Sequence, residues 1–510
     1  MSLRKGFCPR SIRWFGAITL FALLTGCSKE ATPEPAATET KPGAKASGKT
    51  GNDDLGPPQE PVLNQIASLF NPTFGQESKQ TFQVVGEEIR PIGNPNDGGD
   101  FKKVEPNGPD FGPDDKVEEI EFNGDPLLSI VIKEQNQRFG IGLPRERDPR
   151  NPGETKRLTY APDGSYNNTC VKIDGYENIF GQNPGGWDTD RQGQIKQREI
   201  LPGRAWVSTW KFPQNVFVTQ TLFIIPNDAT KKLDTLLVHY LIENRDSRSH
   251  SVGTRVMLDT FIGANDGTPF LVPGRPGLVD TKLDIINSRD IPDFVQTLES
   301  PDLAKPGVIA QVNLKLPAGL RLNAGDPEME PITRLVISRY PGNPEIRWDF
   351  VRDGKFWDMN DKSKGRENDS CVTVYGEYRP MVPKEKRVMA FTYGLGQLSS
   401  LGKNDAKLGL TYGGQPQPGK QITVSAWLRD ARPNQRVMLD LPAGMKFVEG
   451  YKNEQLAVAG VGRLSQASWK VEVDEAAKPA IYSLKAASER EEQSVDVRVR
   501  NDFKGTLNMK

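Results

Sequence analysis

Long apolar runs broken by polar turns dominate the chain between residues 215 and 260. Val216-Phe-Val-Thr-Gln-Thr-Leu-Phe-Ile-Ile225 is β-branched and aromatic, and Pro226-Asn-Asp ends it. Leu233 to Glu243 is the next run, Asn244-Arg-Asp-Ser-Arg-Ser is a turn, and Val252 to Asp259 is a third run. No helical period intervenes, so the pattern predicts an antiparallel meander of three strands. The near-continuous apolarity of 222–225 and 236–242 predicts strands covered on both faces, and hence large sheets packed in a sandwich. Weaker strands are expected at Thr81–Val85, Val117–Phe122, Leu127–Glu134, Cys170–Ile173, Ala205–Phe212, Val308–Leu314, Thr333–Ser338, Val372–Tyr378 and Arg387–Tyr393. Short helices are expected at Pro61–Phe70 and Ser300–Ala304. Gly/Pro/Asn-rich stretches at 91–116 and 143–168 are expected as long loops.

From Leu401 the spacing tightens. Lys407–Tyr412, Gln421–Leu428, Arg436–Leu441, Met445–Glu449, Ala467–Val473, Ala480–Ala486 and Ser494–Arg500 predict seven short strands, the spacing of an immunoglobulin-like sandwich. Within them Val424, Ala426 and Leu428 alternate with an outward Ser425, and Trp427 and Trp469 are expected anchors. The expected fold class is therefore all-β. A large antiparallel β-sandwich body over 59–400 precedes an immunoglobulin-like β-sandwich domain over 401–510.

The front of the chain is of a different kind. Arg4, Lys5, Arg10 and Arg13 precede an apolar run from Trp14 to Leu24, too short to span a bilayer as a helix. It ends in Leu24-Thr25-Gly26-Cys27, which resembles the lipobox of bacterial lipoproteins. That resemblance implies cleavage of a signal peptide over 1–26 and lipid attachment at Cys27, giving a membrane partner and a cell-envelope address. Ser28 in place of Asp implies the outer membrane in the common sorting scheme. Residues 27–58 are Ala, Thr, Pro, Glu, Lys and Gly, a lipidated and disordered linker.

The body also has a family look. Leu236-Val-His-Tyr-Leu-Ile-Glu-Asn-Arg-Asp-Ser-Arg-Ser-His250, Val256-Met-Leu-Asp-Thr-Phe-Ile-Gly-Ala-Asn-Asp-Gly-Thr-Pro-Phe270 and the stretch from Asp369-Ser-Cys-Val-Thr-Val to Tyr393-Gly-Leu-Gly396 resemble uncharacterised secreted bacterial β-sandwich proteins. The resemblance covers about 200 to 500 and implies fold and placement, with no activity attached. A looser likeness, in strand style alone, is to sandwich domains that accompany carbohydrate-active enzymes.

Composition narrows the functions. The chain of 510 residues has 66 basic and 66 acidic residues. Loss of 1–26 would remove four basic residues and no acidic one, leaving a mildly acidic protein. It therefore offers no electrostatic footprint for nucleic acid. Only 2 His are present, His239 and His250. A Ser–His–Asp triad would have to use one of them, and no Gly-x-Ser-x-Gly elbow or Cys-x-x-Cys pair exists. No catalytic residue and no metal motif is assigned. His239 shares a strand face with Leu237 and Leu241 and reads as a satisfied sheet histidine; His250 reads as structural or solvated. Of the 4 Cys, Cys8 lies in the signal and Cys27 is the lipid site, so Cys170 and Cys371 are left to form a disulfide in an oxidising envelope.

Carboxylates supply the remaining chemistry. Asp259, Asn265 and Asp266 are candidates to line an oxygen-rich pocket for a sugar or Ca2+, although the EF-hand spacing is missing. The plainer accounts are a buried Asp259–Arg255 arrangement and a simple Asp266-Gly267 turn. Trp187, in Asn183-Pro-Gly-Gly-Trp-Asp, is a candidate to stack on a sugar ring or to cap a sandwich edge. Trp348 and Trp357 carry the same two readings. The favoured function is a non-catalytic binding or scaffolding module for polysaccharide or an envelope protein. The alternative is a glycoside hydrolase using paired carboxylates.

Overall fold

A computed structural model describes residues 125–500, apart from 189–197, 202–203, 228–229, 358–367, 460–462 and positions 276, 301, 324 and 351. It also describes the backbone of three earlier strands and of Arg198–Leu201. Residues 1–79 lie outside the described residues, and with them the signal, Cys27, the linker and the helix expected at Pro61–Phe70; the 92–116 stretch lies outside too. Gln80–Val85 pairs with Glu88–Pro91 and with Ile120–Phe122 in a small antiparallel sheet.

The body is two ten-stranded sheets, antiparallel but for one short parallel pairing of Met329–Glu330 with Lys386–Leu395. The first runs through Ala205–Lys211, Val216–Ile225, Thr235–Asn244, Lys386–Leu395, Ile309–Asn313 and Phe294–Leu298. The second runs through Arg334–Arg339, Ser370–Tyr375, His250–Gly263, Asn151–Thr159, Arg138–Asp148 and Ser129–Lys133. Alternate side chains of each strand meet between the sheets: Val238, Tyr240 and Phe391 from the first share one core with Val256, Leu258, Val372 and Val374 from the second. The other faces are covered as well. Leu237 and Val388 pack with Leu322, while Met257 and Cys371 pack with Tyr340 and Phe350. That double burial is why these strands read as unbroken apolar runs.

Three expectations change. The third run of the meander leaves its neighbours: His250–Gly263 crosses to the second sheet, and Lys386–Leu395 takes the place beside Thr235–Asn244. The 143–168 stretch holds a long hairpin, Arg138–Asp148 with Asn151–Thr159, whose outer half is exposed on both faces. Of the helix expected at Ser300–Ala304, the described residues 300 and 302–304 are bends and coil without helix.

Residues 408–499 form a second sandwich of a five-stranded and a four-stranded sheet. Val424, Ala426, Leu428 and Trp469 lie in its core. Ser425 does point out of that core, but it is buried: its hydroxyl bonds that of Ser468 at 2.8 Å. The adjacent Trp427 explains this, because it joins Phe294, Leu298, Leu303 and Leu398 of the body in a shared apolar cluster. Gly413 allows the approach, since a Cβ there would sit 2.5 Å from the Phe294 ring.

Candidate functional site

The long strand His250–Gly263 places Arg255, Met257 and Asp259 on its outer face, because side chains alternate. On one side it pairs with Ser370–Tyr375, with Asp259 opposite Cys371. On the other side, pairing with Asn168–Ile173 ends at Met257, and pairing with Asn151–Thr159 begins at Thr260. Asp259 falls in the break. Its amide donates to Asn167 Oδ1 at 2.8 Å, and its carbonyl accepts from the Tyr160 amide at 3.0 Å. The backbone is satisfied by loop groups, and the carboxyl points into the space they leave.

Two further carboxyls enter that space. Asp266 comes from the turn after the strand and Asp369 from the residue before Ser370–Tyr375. The Asp266 carbonyl accepts from the Ser370 amide at 3.1 Å, which ties the two segments together. Gly267 makes the contact feasible: a Cβ there would lie 2.4 Å from the Phe356 carbonyl oxygen and 2.8 Å from the Asp369 nitrogen. One carboxylate oxygen from each of Asp259, Asp266 and Asp369 lies within 4.8 Å of the other two.

The trio is short of positive charge. Asp259 is 2% exposed, and its Oδ1 has no hydrogen-bond partner; nor has the buried Oδ1 of Asp266. Burial, then repulsion from Asp369 and Asp266, pushes the Asp259 carboxyl up to about 9. Burial and Asp369 push Asp266 up to about 8, against the pull of Arg150 and Arg157. Burial raises Asp369 to about 6, against Arg339 and Arg352. The expected Asp259–Arg255 pairing does not form. Arg255 points to the same face but bonds Asn168 and the carbonyls of Ile346 and Arg347. Three carboxylates at this spacing cannot all ionise unless a cation joins them. Calcium binds oxygens at about 2.3–2.6 Å, so two ligands of one ion lie at most about 5 Å apart. The trio meets that limit as it stands.

Of the sequence candidates, Asp259 and Asp266 are thus brought together. Asn265 is not part of the trio: its Nδ2 donates to the Glu299 carbonyl at 2.7 Å and so anchors the turn. Asp369 was missed, because nothing in sequence links it to the other two. Trp187 belongs to the sandwich edge, pairing with Trp210 across strands and meeting it edge-on at 4.6 Å. Trp348 is buried against Tyr375, and Trp357 packs on the main core.

The expected disulfide is absent. Cys170 and Cys371 are free and fully buried. They sit on opposite neighbours of the long strand, facing Arg255 and Asp259 respectively. Two strand spacings sideways and four residues along separate their Cα atoms by about 16 Å, whereas a disulfide needs less than about 7 Å. His239 is buried but not satisfied. Neither ring nitrogen has a partner, and burial pushes it down to about 4. His250 is clamped between Asp174 at 2.6 Å and Asp246 at 2.9 Å.

Fold and site together define an all-β protein of packed antiparallel sheets with a buried acidic centre. No protein-family model matches the sequence, and no curated protein matches it. Among solved structures, a galactose mutarotase-like protein from Lactobacillus casei ATCC 334 is similar over 53% of this chain and 98% of its own, at 10% identity and TM-score 0.29. An aldose 1-epimerase candidate from Escherichia coli K12 is similar over 53% and 96%, at 11% identity and TM-score 0.28. A polysaccharide lyase is similar over 74% of this chain and 47% of its own, at 9% identity and TM-score 0.26. Likeness at this level brings no activity to the chain.

Proposed function

We propose that the chain is a lipid-anchored envelope protein whose body is a non-catalytic binding module built around a calcium-type site. The anchor is supported by the Leu24-Thr25-Gly26-Cys27 ending behind a short apolar run. With Cys27→Ser, the protein should move from the membrane pellet to the soluble fraction; an unchanged pellet removes the anchor from the reading.

One observation carries the binding centre: Asp259 is buried with an unpartnered oxygen facing two more carboxyls. A divalent cation would let all three ionise and would supply the missing partner. The test is thermal unfolding of the full-length chain in detergent, with calcium and with chelator. Calcium at a hundredfold excess over Kd should add about 2.7 kcal/mol. Asp259→Asn should keep the fold and lose the response. A wild-type protein indifferent to calcium ends the reading.

The glycoside hydrolase alternative has the raised Asp266 and Asp369 in its favour, since a general acid needs such a shift. It also needs two acids flanking a sugar chain, about 5 Å or more apart, in an open cleft. Asp259 is 2% exposed, and the three acids lie within 4.8 Å of one another, closer than such a pair, which favours binding. A hydrolase would release reducing ends from a glycan panel without calcium and lose that activity in Asp266→Asn.

A further inference from the structure

The surroundings of the trio go further than the ion. Tyr160 and Tyr166 are 39% and 38% exposed, and their rings meet edge-on at 5.3 Å. Tyr160 is joined through its amide to Asp259, and its ring leans edge-on against Phe261, the next outward residue of the same strand, at 5.7 Å. Tyr166 leads inward to Tyr340 at 6.0 Å. Asp266 and Asp369 are only partly buried, and Tyr160 stands close enough to feel the charge of all three carboxyls, so these two half-open rings flank the solvent side of the acidic centre. Two arginines stand on one flank: Arg157 lies 4.8 Å and Arg150 5.5 Å from the Phe261 ring centre. Arg150 is more than half exposed. On the other flank Arg352 bonds the Tyr340 carbonyl at 3.1 Å, and Arg339 precedes Tyr340.

Three chemistries therefore meet at one opening. A calcium ion takes six to eight oxygens, and three aspartates acting through one oxygen each leave several positions open. Exposed tyrosine rings offer a flat, amphipathic surface of the kind that pyranose rings stack on. Arginines offer paired donors for carboxylates. A neutral sugar would use the first two and make no use of Arg150, which is exposed and, among the described residues, paired only by a 3.6 Å contact of its Nε with Asp148. An acidic peptide would use the first and third and leave the rings without a partner. We infer that the Tyr160–Tyr166 opening binds an acidic glycan, a uronate-bearing oligosaccharide, by calcium-bridged contact to Asp259, Asp266 and Asp369 with Arg150 on its flank. The inference rests on the calcium-type reading of the trio.

The test is calorimetry on the full-length chain in detergent with four titrants: calcium chloride, a galacturonate trisaccharide, a neutral galactose trisaccharide and a short aspartate peptide. The uronate should bind with calcium present and lose at least tenfold in affinity with chelator. It should bind at least tenfold tighter than either comparator. Tyr160→Ala and the surface variant Arg150→Ala should each keep calcium binding and weaken uronate binding about tenfold. Calcium binding without uronate binding overturns this inference and leaves the ion site standing. Uronate binding that survives chelator, or is matched by the neutral sugar or the peptide, also overturns it. No calcium binding removes both readings together.

Discussion

The two histidines answer pH in opposite senses, each for a local reason. His239 shares the outer face of the first sheet with Leu237 and Leu241 and neither ring nitrogen has a polar partner, so burial holds it at about 4. Between about pH 6.5 and pH 4 the unfolded chain takes up a proton that the native chain refuses. Stability therefore falls as pH falls through that window, by about 3 kcal/mol in full. His239→Leu, an apolar residue in an apolar setting, should remove this loss, so that urea midpoints of variant and wild type diverge as pH drops below 6.5. His250 runs the other way. Its own burial opposes the charge, but Asp174 and Asp246 together outweigh it, and its pKa is raised. Its contribution is complete below about pH 6.5 and is lost as pH climbs through the folded value. The two thiols give a second test. Burial pushes Cys170 up to about 11 and Cys371 up to about 12, so neither ionises in the native protein. Reductant should leave the melting temperature unchanged, and iodoacetamide should label both only after unfolding. Labelling of the native protein would contradict their burial, and a midpoint lowered by reductant would contradict their separation across the long strand.

At the scale of elements, the acidic centre depends on a turn and a strand start being held in contact. Gly267 is the point of closest approach, so Gly267→Ala must push residues 266–268 away from Phe356 and Asp369. The expected cost is about 1–3 kcal/mol, together with a weaker calcium response because Asp266 and Asp369 part. Urea unfolding with and without calcium reads both effects. The same geometry explains what a reader of the sequence could and could not see. Double burial demands β-branched and aromatic residues, so Val216–Ile225, Thr235–Asn244 and Lys386–Leu395 declare themselves as strands. A period of two reports faces and is silent about neighbours, so the crossing of His250–Gly263 to the other sheet left no mark. Arg138–Asp148 and Asn151–Thr159 went unseen because their far half is wet on both faces and lacks any alternation. Asp259 and Asp266 were legible because one strand and its turn hold both. Asp369 arrives through sheet pairing alone.

At the scale of the molecule, the body and the second sandwich are joined by more than a linker. Two neighbouring domains move against each other by default unless their interface is large and apolar. Here Trp427 is fully buried among Phe294, Leu298 and Leu398 of the body, and its Nε1 donates to Gln296 Oε1 at 2.8 Å. Gln296 Nε2 in turn donates to Thr411 Oγ1 at 2.8 Å. Beside it, Asp293 is 1% exposed and accepts from Thr423 at 2.7 Å, with Lys315 and Lys470 each at 2.9 Å. Thr423 and Lys470 come from the second sandwich, so parting the two sandwiches would leave this buried acid with Lys315 alone. The described unit should therefore unfold as one cooperative transition. Trp427→Ala should cost about 3–5 kcal/mol and leave Gln296 without its donor. Because Trp427 points away from the second sandwich's own core, that core should survive, and calorimetry should resolve two transitions where the wild type has one. Trp469→Ala is the contrast: it empties the second sandwich's core, so it should abolish the transition of that sandwich instead of separating it. A Trp427→Ala protein that still melts in a single, unshifted transition would mean that the two sandwiches were never coupled through this contact.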